Sequence, residues 1–198
     1  SCDVSAVYST IELCNETTPI LIKSTISLQG WQDIKNNFPN HRLCFSPEFL
    51  RAKNYMNDIK QLDCIILSGD TDYWRDQYSF NWPQCRINIV TPEEAIAIKY
   101  FRNAFLATKV SFFNEIFDFC KAYNLDYEEV QAGITDDKRI GSSHSYVWPE
   151  EGIRGWGGMC FPKDTKALLK MASEKNINLN TLSAAVYYNT KLKQTLDK

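Results

Sequence analysis

The residues that could do chemistry gather most densely in Gly155-Trp156-Gly157-Gly158-Met159-Cys160-Phe161-Pro162-Lys163-Asp164, followed by Thr165-Lys166-Ala167-Leu168. Glycines let the backbone turn sharply and approach a ligand closely, Pro162 can open a helix, and Asp164 lies in what would be its first turn. Cys160 therefore stands at a loop-to-helix junction. There the partial positive charge of the helix end and the ammonium of Lys163 both favour the thiolate, the form in which cysteine attacks an electrophile. The alternative is a small cysteine that fills a turn, as unpaired cysteines commonly do. The decapeptide alone leaves both open.

Other candidates are more dispersed. Lys99 and Asn103 are four residues apart and so share a face if their segment is helical. A lysine and a carboxamide pointing the same way can supply charge and hydrogen-bond donors to a developing oxyanion, but a solvated Lys beside an ordinary Asn looks the same in sequence. Glu48 follows Pro47 after an apolar run and could act as a general base through water, although a turn carboxylate at a surface is the commoner case. Thr25 could orient a water or cap the next helix. Asp164 could be a base beside Cys160 or a complement to the helix dipole. Arg139 and His144 flank the polar Gly141-Ser142-Ser143 loop, where an arginine can bind phosphate.

The elements that must position these groups fall into two regimes. Up to residue 91, short apolar runs read as buried strands: Ile20 to Ser24, Arg42 to Phe45, Cys64 to Ser68 and Arg86 to Val90. Ala6 to Asn15, Trp31 to Phe38 and Asp72 to Tyr78 read as helices between them. This rhythm predicts an α/β, partial Rossmann-like parallel sheet, with ligands beyond the carboxyl ends of its strands. From Thr91 the period becomes helical. Thr91-Pro92-Glu93-Glu94 is a capping-box start, and apolar positions then continue without Gly or Pro to about Tyr123. So long a helix, apolar on several sides, predicts a spine buried on more than one face. Shorter helices are expected from Asp126 to Gly133, from Pro162 to about Lys175, and from Asn180 to the end. The chain thus divides into residues 1–91 and an all-helical 92–198.

Composition excludes several function classes. With 44% hydrophobic and 23% charged residues and a net charge of -2, the 198-residue chain has no basic footprint for nucleic acid. Its seven cysteines include no C-x-x-C pair, and with two histidines in the chain no metal site is expected. Their scatter fits a reducing compartment, and no apolar run approaches the length that spans a bilayer. A cytoplasmic location, without membrane attachment, is the expectation. No strand followed by G-x-G-x-x-G precedes Thr91; in Gly155-x-Gly157-Gly158 the third glycine position is Cys160.

Taken in order, the chain resembles the UDP-glucose/GDP-mannose dehydrogenase family. The matching stretches are Ile22-Lys23-Ser24-Thr25-Ile26, Ser46-Pro47-Glu48-Phe49-Leu50-Arg51, Lys99 through Asn103-Ala104-Phe105, Asn114-Glu115-Ile116, Asp137-Lys138-Arg139-Ile140-Gly141-x-Ser143-His144, and Gly155 to Asp164. Phe161 after the cysteine is similar to the UDP-glucose branch. The resemblance implies oxidation of a nucleotide sugar's primary alcohol to a carboxylate with two NAD. It implies Cys160 as the nucleophile of a thiohemiacetal and thioester, Lys99 and Asn103 as alkoxide and oxyanion stabilisers, and Asp164 and Thr25 as organisers of water and proton transfer. Glu48 would serve thioester hydrolysis. Thr25, Glu48 and Lys163 would lie toward the cofactor, and Phe49, Leu50, Arg139 and Gly157 toward the sugar nucleotide, with Arg139 lent across a dimer of helical domains.

The departures set a second expectation. The family's glycine fingerprint and its UDP-binding domain have no counterpart here, Ala52-Lys53 stands where Glu-Gly is usual, and Trp156 and Met159 replace Phe and a small residue. Two readings follow. One is a truncated or split UDP-sugar 6-dehydrogenase that needs a partner chain to bind NAD and act. The other is an inactive homologue serving as a dimerisation or binding module. A cysteine hydrolase is the weakest alternative, because neither His41 nor His144 is recognisably paired with Cys160 in sequence.

Overall fold

The computed structural model describes residues 4–50, 54–148 and 154–196. Arg51, Ala52 and Lys53, which carry part of the second matching stretch and the Glu-Gly departure, lie outside the described residues, as does Cys2. The chain forms two compact units, Ser1–Lys99 and Tyr100–Lys198.

In the first unit, α1 (Ser5–Glu12), β1 (Ile20–Ile22), α2 (Leu28–Asn37), β2 (Leu43–Phe45), α3 (Tyr55–Lys60), β3 (Cys64–Gly69), α4 (Asp72–Asn81) and β4 (Arg86–Ile89) follow one another. The four expected strands form one sheet in the order β1-β2-β3-β4. All three residues of β2 are buried, which is why it reads as a continuous apolar run and not as an alternation. Phe45 meets Trp31 of α2 with ring centroids 6.2 Å apart. Cys44 joins Ile65, Leu67 and Cys85 in a cluster covered by Tyr78 and Trp82.

One pairing corrects the expectation of a parallel sheet. β1 and β2 run parallel, as do β3 and β4, but β2 and β3 are antiparallel, with Cys44 opposite Gly69 and Phe45 opposite Ser68. A parallel crossover usually runs a helix back along the strand. α3 has six residues, about 9 Å at 1.5 Å per residue. It also escaped the sequence reading, because it buries none of its residues and so has no apolar period. The antiparallel register is held by side chains as well as backbone. Ser68 donates to the Phe45 carbonyl at 3.0 Å, and the Arg42 guanidinium grips Asp70 at 2.8 and 3.2 Å, holding that carboxyl below its ordinary range.

Gly69 has φ +83, and a Cβ there would overlap the Leu43 carbonyl. Gly69→Ala is therefore expected to lower stability by about 1–3 kcal/mol, read as a lower urea midpoint with an unchanged slope.

Helix α5 (Pro92–Ala122), 31 residues long, opens on the expected capping box. The Thr91 amide donates to Glu94 Oε2 at 2.8 Å and the Glu94 amide to Thr91 Oγ1 at 3.2 Å. The second unit continues with α6 (Tyr127–Thr135), α7 (Phe161–Ser173) and α8 (Asn180–Leu196). α6 runs two residues past Gly133, where the helix was expected to stop. A helical glycine costs only about 1 kcal/mol, and Thr135 bonds back to the Gln131 carbonyl at 2.9 Å. Along α5, Tyr100, Ala104, Ala107, Phe113 and Cys120 are buried, whereas Phe101, Phe105, Phe112 and Phe119 are 52–68% exposed. Periodicity marks apolar positions but not what covers them, so the expected burial on several faces is incomplete. Among the described residues no helix is long and apolar enough to cross a membrane.

Candidate active site

In the second unit the cysteine turn is held by side chains from α5 and α8. The Trp156 amide donates to Asn189 Oδ1 at 2.7 Å, and Asn189 Nδ2 returns a bond to the Trp156 carbonyl at 3.1 Å. The Trp156 indole donates to Ser111 Oγ at 2.9 Å, and the Gly155 amide to Asn114 Oδ1 at 3.2 Å. Arg154, just before, pairs with Asp118 at 2.7 Å and lies over the Phe117 ring. Gly155 has φ +70, and a Cβ there would collide with the Asn189 carboxamide oxygen. The left-handed glycine and the asparagine form one joint.

The turn delivers Cys160 to the N-cap of α7, with Pro162 in the first helical turn as its sequence suggests. The six described cysteines are free thiols, and among them Cys160 is the exposed one. Its carbonyl accepts the Asp164 amide at 2.9 Å. Asp164 is fully buried, although most aspartates reach water. One of its oxygens accepts from Asn103 Nδ2 at 2.6 Å. The other has no hydrogen bond; the Lys163 ammonium is 3.5 Å away, an ion-pair separation longer than a good hydrogen bond. Asn103, which the sequence offered as an oxyanion donor, thus also fixes Asp164. His144 and Trp156 flank Phe161, with ring centroids 5.8 and 6.4 Å away.

A second group forms in the first unit at the carboxyl ends of β1 and β2. Glu48 Oε1 accepts the amides of Phe49 and Leu50 at 2.7 and 2.8 Å, and Oε2 pairs with Lys23 at 3.1 Å. The Lys99 ammonium donates to the Glu48 backbone carbonyl and lies 5.2 Å from the centre of the Phe49 ring. Burial alone would raise the Glu48 carboxyl, but the Lys23 charge and the two amides outweigh it and hold the group below its ordinary range. Thr25 is half-buried in the turn before α2. It does not cap that helix: Ser27 does, accepting the Gly30 amide at 3.0 Å.

Of the remaining candidates, Gly157 lies within the cysteine turn and Arg139 outside it. Arg139 is bound to Asp137 with its side chain 89% exposed. Gly157 is an exposed turn residue beside Lys193. No cluster of His, Cys, Asp and Glu able to hold a metal occurs among the described residues. A dinucleotide's pyrophosphate needs a glycine turn where the backbone can come close. The turns after β1 and β2 are Lys23-Ser24-Thr25 and Ser46-Pro47-Glu48, with side chains at each position and a proline that has no amide hydrogen. The residues present do not fit that cradle.

Residues 93–191 match the model described as the UDP-glucose/GDP-mannose dehydrogenase family, central domain. The chain belongs to that family. The UDP-glucose 6-dehydrogenase of Rhizobium meliloti is 30% identical over 197 residues, covering 91% of this chain and 43% of that protein. The UDP-glucose 6-dehydrogenase of Campylobacter jejuni is 31% identical over 191 residues, covering 94% and 47%. A solved structure, a UDP-glucose dehydrogenase from the hyperthermophilic archaeon Pyrobaculum islandicum, superposes with a TM-score of 0.73 at 26% identity, over 86% of this chain and 40% of that one. The chain spans less than half the length of these family members.

Sequence reasoning gave no role to Lys23, Ser111, Asn114 or Asn189. Lys23 and Asn114 stood inside matching stretches, which was a signal. Ser111 and Asn189 carried none, since neither lies in a matching stretch and both act on a turn remote in sequence.

Proposed function

We propose that the chain is the catalytic middle of an NAD-dependent UDP-sugar 6-dehydrogenase of the UDP-glucose to UDP-glucuronate type, with Cys160 as its nucleophile. The observation that carries this reading is the exposed thiol at the start of α7, one turn before a buried Asp164 held by Asn103, inside the family-matched segment. NAD, its pyrophosphate held by residues other than the turns after β1 and β2, would supply the hydride acceptor. This chain's groups act between and after the hydride transfers.

The Cys160 sulfur adds to the C6 aldehyde: a C–S bond forms, the carbonyl electrons move to oxygen, and the resulting thiohemiacetal cannot escape. Lys99 and Asn103 would stabilise negative charge on that oxygen. Once the adduct is a thioester, water attacks the acyl carbon, its proton passes to Glu48, the C–S bond breaks, and the carboxylate leaves with the thiolate restored. Thr25 and Asp164 would order the water, Thr25, Glu48 and Lys163 would lie toward the cofactor, and Phe49, Leu50, Arg139 and Gly157 toward the sugar nucleotide. Residues 1–91 would complete a cofactor-binding domain, and the exposed Phe101, Phe105, Phe112 and Phe119 support a homodimer through the helical part.

The test combines the chain with polypeptide from a family member that supplies the glycine fingerprint and the nucleotide-sugar domain, then provides UDP-glucose and NAD. Two NADH per UDP-glucuronate are expected. An assembly that binds both ligands by calorimetry yet forms no NADH would overturn the proposal in favour of a binding module.

A further inference from the structure

Glu48 is held at its backbone carbonyl and at both carboxylate oxygens. Its backbone carbonyl accepts from Lys99, Oε1 takes two successive amides at 2.7 and 2.8 Å, and Oε2 faces the Lys23 ammonium at 3.1 Å. Sheet register brings the two side chains together. Ile22 pairs with Phe45, and the Ser46 amide donates to the Ile22 carbonyl at 2.9 Å, so Lys23 and Glu48 leave neighbouring parallel strands at the same end. A half-exposed ion pair of this kind, 38% and 37% accessible, contributes little to folding. Its effect falls on what the carboxylate can do. Oε1 is saturated, so Oε2 is the oxygen left to meet a water, and Lys23 fixes where it points.

We propose that Lys23 is a positioning residue for Glu48, aiming Oε2 and keeping it ionised so that Glu48 can take the proton from water during thioester hydrolysis. This rests on the role given to Glu48 under Proposed function. The groups facing Glu48 from the packed elements are Lys23 after β1, Lys99 on α5 and the Tyr78 phenol on α4, which burial and then the Glu48 charge push up to about 12, leaving it neutral. Arg51 and Lys53 lie outside the described residues. Among the described residues, losing Lys23 removes the largest influence opposing burial and leaves the two amides beside Lys99, so the Glu48 midpoint rises.

Titration of the Glu48 side-chain carboxyl by carbon NMR in the chain itself is expected to show a midpoint about one pH unit higher in Lys23→Met than in the parent, and close to the parent in Lys23→Arg. Acylation of Cys160 with p-nitrophenyl acetate, located by peptide mapping, gives a thioester whose loss is followed by mass spectrometry. The acid limb of its pH–rate profile should move up by the same unit in Lys23→Met, about tenfold slower hydrolysis at a fixed pH on that limb. Lys23→Arg should restore it. An unmoved Glu48 midpoint in Lys23→Met overturns the inference even if Glu48→Gln slows hydrolysis, which would leave the role of Glu48 standing. Conversely, Glu48→Gln that hydrolyses as fast as the parent overturns both, whatever the midpoint does.

Discussion

Cys160→Ala is expected to abolish UDP-glucuronate formation in the complemented assembly, by a factor on the order of 10³ or more. In the proposed route the second oxidation needs the aldehyde carbon held as a tetrahedral adduct, and no other described cysteine is exposed to provide it. Cys160→Ser should fall nearly as far, because a hydroxyl is a far weaker nucleophile at neutral pH than a thiol. The variants should fold normally: the side chain is exposed and makes no cap bond to α7. Product chromatography with intact-mass analysis reads both points. Acid production by Cys160→Ala within tenfold of the parent would remove the covalent route.

The largest stability effect is expected at Gly155. Alanine there would be forced into the left-handed region and would push its Cβ into Asn189. Left-handed backbone costs about 1–2 kcal/mol for a residue with a Cβ, and each buried polar group deprived of its bond costs about 1–3 kcal/mol. Displacing Asn189 breaks both of its bonds to Trp156. Together, Gly155→Ala should cost about 3 kcal/mol or more, seen as a lower urea midpoint. Because the same joint aims Cys160, alkylation of that thiol by iodoacetamide should change rate in Gly155→Ala well below the unfolding transition. An unchanged midpoint would mean that the turn has another way to close. Asn189→Ala should repeat the stability loss without the backbone strain, which separates the two contributions.

Much of the fold was legible because its signals are local. The capping box at Thr91 and Glu94 lies within four residues and forms as read. The four apolar runs became strands because each is short and bounded by polar turns, three of them rich in β-branched residues and the other carrying an aromatic. Where signals were not local, reading failed. α3 buries no residue and leaves no periodic trace. The antiparallel β2–β3 pairing depends on where an irregular connection returns the chain, and is sealed by Arg42 with Asp70 and by Gly69 against Leu43, contacts that no window of sequence contains.

The candidate site divides the same way. Sequence alone determined the family, and it determined that a thiol would sit at the start of a helix beside Lys163 and Asp164, because glycine, proline and short-range spacing impose that geometry locally. Only the tertiary structure decided that Asp164 would be fully buried and tied to Asn103, that Glu48 would be clamped by Lys23 and Lys99, and that Asn189 would fasten the cysteine turn. Each of these joins elements far apart in the chain. Such a bond exists only once packing has chosen which side chains face each other and, for the buried Asn103–Asp164 and Asn189–Trp156 bonds, has excluded the water that would otherwise satisfy them.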